Sequence, residues 1–231
     1  MTYEEFIKAV GEYWKLFEGG LKKQANKLLF EFTDGFEIGT QQSDAILERF
    51  CREFFDEGKH SAHHKGGASD LPFQVTRLMN DYLRRQSEQN RMPQMRWAYQ
   101  LFGNCYNPHD PQNEHPAYSL LERAYNHPQR DSKTAELYFN EQLETLYWGA
   151  HHFPDGCCIK RSVYEETLSI AEKILMDNEI PQKLVSELEY YKKLYEVYYE
   201  WTECGRQGDF PELCRAAGLN WSEIPAYYYN G

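Results

Sequence analysis

The chain has 231 residues, a net charge of −11 and a mean hydropathy of −0.78. That length can bury a core without disulfides or metals, and no apolar run approaches the roughly 18 residues that a membrane span needs. The acidic balance excludes nucleic acid as an expected direct ligand, because neutralising phosphates takes clustered Lys and Arg.

Thr2 and Glu5 have capping-box spacing, and Phe6, Val10, Tyr13 and Phe17 form the stripe of a first helix that Gly19-Gly20 ends. These first 17 residues carry acids where a secretory signal needs a basic end and an unbroken apolar stretch, so a cytoplasmic location is expected. A second helix is expected from Leu21 to Phe32. Ser43 is placed to cap a third, with Ile46, Leu47, Phe50, Phe54 and Phe55 on one face. Residues 59–69, rich in His, Gly and Ser, read as an exposed loop and as the clearest internal boundary.

Beyond it, Asp70 is a cap and Pro72 falls near a first turn, followed by the core positions Val75, Leu78, Met79 and Tyr82. Pro93 opens a helix through Trp97, Leu101 and Phe102. A loop from Asn104 to His115 precedes a short helix with Tyr118, Leu121 and Tyr125. From Asp131 the pattern is more regular. Ser132 and Glu136 start a helix with Phe139, Leu143, Leu146 and Ala150 on its face, stopped by Pro154-Asp155-Gly156. The next helix carries Tyr164, Leu168, Ala171 and Leu175 on one row, with Val163, Ile170 and Ile174 alongside.

The segment from Pro181 to Cys204 is the most patterned. Leu184, Leu188, Tyr191, Tyr195 and Tyr198 recur at intervals of four and three, beside a second row of Tyr190, Leu194, Val197, Trp201 and Cys204. A stripe that wide packs between other helices. A short helix around Leu213 and a tail ending Tyr227-Tyr228-Tyr229 complete the chain.

No alternating, β-branched run suggests a strand. The expected fold is all-α: an irregular helical repeat, solenoid-like, or a compact multi-helix bundle of about nine to ten helices. The organisation reads as N-terminal helices over 1–58, the loop 59–69, and a repeat-like region over 70–231, most regular from 131, in one continuous unit. Helix ends such as Leu101-Phe102-Gly103 and Tyr147-Trp148-Gly149 recur about every 46 to 53 residues, in the range of helix-pair repeats. The spacing loosely resembles tetratricopeptide and HEAT-type architecture, but the tetratricopeptide consensus positions are not reproduced.

Signatures of phosphate cradles, dinucleotide folds, serine elbows and His-Glu-x-x-His zinc sites are all missing, and no cofactor is expected. The six cysteines are scattered without a Cys-x-x-Cys, which points to reduced, buried thiols. Two local constellations carry chemistry. Asp56, His60 and His64, with His63 between them, have spacings that ligate a divalent metal on a helix, although Gly58, Gly66 and Gly67 favour a solvated loop. His151-His152 followed by Cys157-Cys158 juxtaposes imidazole and thiol as in nucleophilic catalysis, against a packing role at a helix end.

The charge is uneven. Residues 131–231 carry 18 acids and 9 bases. Glu196, Tyr199, Glu200 and Glu203 lie on the side of the tyrosine-rich helix away from its first apolar row, giving an acidic patch with an aromatic inside it. The expected function is therefore non-catalytic binding of a basic protein through this C-terminal surface. Composition, size and missing active-site motifs are similar to those of small inhibitors and immunity proteins that neutralise basic nuclease toxins. The alternatives are a helical metal-dependent hydrolase using His60, His63 and His64, and a peptide-binding repeat scaffold.

Overall fold

A computed structural model describes residues 1–60, 71–102 and 117–222. The fold is all-α: ten α-helices and one π-helical turn, with no strand among the described residues. None of these helices is long and apolar enough to cross a membrane.

Packing divides the chain into two compact units, 1–130 and 131–231. The first contains α1 (Tyr3–Glu18), α2 (Lys22–Asp34), α3 (Gln41–Cys51), the π-helical turn (Arg52–Asp56), α4 (Phe73–Glu88), α5 (Gln94–Phe102) and α6 (Ala117–Tyr125). Residues on both sides of 59–69 share one apolar cluster, including Phe6, Leu29, Phe50, Val75, Leu78 and Trp97. The second unit contains α7 (Ser132–Ala150), α8 (Arg161–Asp177), α9 (Gln182–Glu203) and α10 (Phe210–Ala216). Here α7 packs against both α8 and α9, and α9 carries α10.

Local chemistry sets the helix starts. Thr2 and Glu5 form the expected reciprocal capping box. The start of α3 differs from expectation: Thr40 is the cap, and Ser43 is its partner three residues on, accepting from the Thr40 N–H at 3.0 Å. Serine there fills the place usually held by Glu or Gln. Asp131 rather than Ser132 caps α7, accepting from the Thr134 N–H at 2.8 Å. Pro72 is itself the residue before α4, while Asp70 lies outside the described residues.

The apolar rows are also adjusted. On α8 the buried line is Tyr164, Thr167, Ala171 and Ile174, so Leu168 and Leu175 are only partly covered and Val163 is exposed. On α9 the first expected row is buried from Leu188 to Tyr198, joined by Leu194; the rest of the second row is part-buried, and Cys204 is exposed. A helix touching α7 on one side and α10 near its end has a buried face that follows those neighbours, not a fixed spacing.

One glycine permits the tightest approach in this unit. A Cβ at Gly149 would lie 2.1 Å from the Tyr195 hydroxyl and 2.6 Å from Ile159 Cγ1. Its absence lets Tyr195 reach α7 and donate to the Leu146 carbonyl at 2.9 Å.

The thiols are free among the described residues. Cys51 and Cys214 are buried as expected, but Cys157 is part-buried and Cys158 and Cys204 are exposed, because they lie in turns at helix ends. Cys105 lies outside the described residues.

Candidate functional site

The exposed seam of α8 and α9 is built by helical spacing. Glu189, Glu196, Glu200 and Glu203 follow one another at seven, four and three residues and so share a side of α9. Arg161 of α8 donates from Nη1 to Glu203 at 2.6 Å and from Nε to Glu165 at 3.2 Å. Lys192 lies 3.1 Å from Glu172 and 3.6 Å from Glu189. Two cations are thereby shared among four carboxylates. Glu196 and Glu200 are exposed and join no ion pair among the described residues.

Tyr199 faces inward from this row. Its ring is edge-on to Tyr164 at 5.5 Å and lies 4.8 Å beneath the Arg161 guanidinium. Burial, then the neighbouring Cys157, pushes its hydroxyl well above the ordinary tyrosine range; that hydroxyl faces the thiol and meets no partner at hydrogen-bonding geometry. The structure thus brings Glu196, Glu200 and Glu203 together at the surface and puts Tyr199 under a lid. A mid-helix tyrosine beside an arginine one helix away is invisible to spacing rules.

The candidate metal set does not assemble among its described members. Asp56 accepts from the Arg96 guanidinium at 2.8 Å and from the Trp97 indole at 3.2 Å, both on α5. His60 turns to a different partner, with Nε2 at 2.7 Å from Glu53. The π-helical turn separates the two directions by adding a residue to the helical circuit. His63 and His64 lie outside the described residues. Among those described, no group of three or more His, Cys, Asp or Glu is suited to hold a metal.

The Glu53 cluster was missed by sequence reasoning. Glu53 accepts from the Tyr3 hydroxyl at 2.6 Å, from Arg49 Nε at 3.0 Å, and pairs with His60, whose ring stacks on Phe50 at 5.2 Å. Burial works against its charge, yet the contacts from Tyr3, His60 and Arg49 outweigh it and hold the carboxyl at about 2. Only Arg49 and Glu53, four apart, were legible as a pair. Tyr3 arrives from 50 residues away.

The thiol and imidazole candidates also part. Cys157 faces the Tyr195 and Tyr199 hydroxyls, and burial raises its thiol, keeping it protonated and a poor nucleophile. His151 and His152 instead join a chain of rings with Tyr147 and Trp148 at centroid distances of 5.1 to 5.9 Å. No family model, curated protein or solved structure matches this chain.

Proposed function

We propose that residues 131–231 form a protein-binding module that captures a basic protein through the acidic α8–α9 seam, with no chemistry of its own. What supports this reading is the pair of exposed carboxylates, Glu196 and Glu200, beside a Glu203 already shared with Arg161. Arg161 and Lys192, the two cations that pair along the seam, are each divided between two acids, and Lys193 beside them joins no ion pair among the described residues, so the row keeps an excess of negative charge. Such a field speeds encounter with a positive surface and fixes its register.

A partner of this kind has clustered Lys and Arg, as on an enzyme that binds nucleic acid backbones, and blocking that surface is what an inhibitor or immunity protein does. A cytoplasmic setting goes with the reading, since reducing conditions keep exposed thiols such as Cys158 and Cys204 free. Tyr199 acts here by supporting Arg161 and α8, not as an exposed anchor.

The test is affinity capture from the native host at low salt, then binding measurements on the recovered partner. Glu196→Lys combined with Glu200→Lys should weaken association about 10- to 100-fold, and salt should weaken the wild type more than the variant. Equal affinity for the two proteins, or indifference to salt, would overturn the reading.

A further inference from the structure

We propose that Trp148 and Tyr147, at the end of α7, are the anchor on which an arginine of that basic partner docks. This inference rests on the reading above, and it supplies what the α8–α9 seam lacks, an uncovered ring. Trp148 is 59% exposed and Tyr147 39%, whereas Tyr164, Tyr191, Tyr195 and Tyr198 of the same unit are buried. The two rings meet edge to face at 5.6 Å, and Trp148 leans on His151 at 5.3 Å, so the indole is held in place. Interfaces concentrate their binding energy in rigid, exposed Trp and Tyr of this kind.

The occupant is indicated by an arrangement found at Tyr3 and at Tyr199, while the arginines over Tyr125 and Trp201 bond backbone carbonyls instead. Arg49 lies 3.8 Å over the Tyr3 ring while pairing with Glu53 and Glu4. Arg161 lies over Tyr199 while pairing with Glu165 and Glu203. In each case a guanidinium stacks on a ring and its N–H groups meet carboxylates, a match between planar shape and charge that an ammonium cannot reproduce. The end of α7 has the same two components. Glu144 is three residues before Tyr147 and four before Trp148, spacings that put its carboxylate on their side of the helix. Among the described residues no cation lies over Tyr147 or Trp148, and the third component must come from outside.

The experiment uses the full chain and two labelled probes, an oligo-arginine peptide and an oligo-lysine peptide of equal length, titrated at low salt by fluorescence anisotropy. The wild type should bind oligo-arginine more tightly. Trp148→Ala should weaken that binding about tenfold and erase the preference for arginine, while Trp148→Phe keeps most of both. Because Trp148 is largely exposed, circular dichroism should be unchanged; Tyr147→Ala gives a second, independent variant.

If Trp148→Ala leaves affinity and preference intact while Glu196→Lys with Glu200→Lys weakens both peptides, the anchor is wrong and the acidic-face reading survives. If the wild type binds neither peptide, both fall. Self-association in analytical ultracentrifugation that Trp148→Ala abolishes would assign the Tyr147 and Trp148 rings to a second copy and overturn the arginine anchor.

Discussion

Residues 1–130 hold 18 acids and 16 bases with 10 Phe and 7 Tyr, while residues 131–231 hold 18 acids and 9 bases with 3 Phe and 11 Tyr. The two units use these resources in opposite ways. The first places charges inside: Arg96 is 1% exposed and pairs with Asp56, and Arg85 forks onto Asp44 at 2.7 and 3.1 Å. Its rings are mostly apolar, as where Phe50 meets Phe6 edge to face and stacks on Phe54. The second keeps its charges outside and places hydroxyl-bearing rings within. Tyr195 stacks on Tyr164 at 4.5 Å and Tyr198 on Phe153 at 3.9 Å. A near-balanced set of charges can be consumed by internal pairing; an acidic excess has no such outlet and stays at the surface, where it can act on a partner.

The sharpest way to break this contrast is to remove an internal charge from the first unit. Asp56→Ala takes a carboxylate from the buried Arg96 and should destabilise residues 1–130 by about 3–5 kcal/mol. In hydrogen exchange the loss of protection should fall on α4 and α5 and spare α7 to α9. Adding Arg96→Met should recover much of that loss, because an apolar side chain of similar length needs no ionic partner.

The reciprocal change is Gly149→Ala in the second unit. A methyl group there collides with the Tyr195 hydroxyl and Ile159, and should cost about 3 kcal/mol. Its exchange signature should be the mirror image, confined to α7, α8 and α9. Equal loss of protection in both units for either variant would contradict the division at Arg130 and Asp131.

A smaller effect should come from Glu53→Gln. The native carboxyl is held at about 2, whereas an unfolded glutamate titrates near roughly 4.3. The stabilisation is therefore complete above the unfolded value and is lost as pH falls through that interval. Glu53→Gln should lower stability at pH 7 by about 1–2 kcal/mol and flatten the acid limb of a denaturant-midpoint profile. A profile parallel to the wild type would mean that the Tyr3, His60 and Arg49 contacts do not hold in solution.

The acidic face itself was legible because it is a local property: Glu196, Glu200 and Glu203 share a side of any helix that contains them. Tyr199 was not, since whether a ring at the edge of that side points out or in depends on Arg161, 38 positions earlier on another helix. Asp56 and His60 looked like co-ligands at a spacing of four, and the π-helical turn sent them to different helices. The exposure of Trp148 was equally hidden, because it follows from what does not pack on the end of α7.

By itself the sequence determined the helical class, the position of nearly every helix and the acidic bias of the last hundred residues, all consequences of short-range periodicity, caps and composition. Only the tertiary structure decided which tyrosines are covered, which carboxylates find cations and which thiols are enclosed. Those outcomes depend on side chains meeting from different helices, such as Arg161 with Glu203, 42 residues apart, and Tyr195 with the Leu146 carbonyl, 49 apart. Packing geometry, not spacing along the chain, fixes which of them touch.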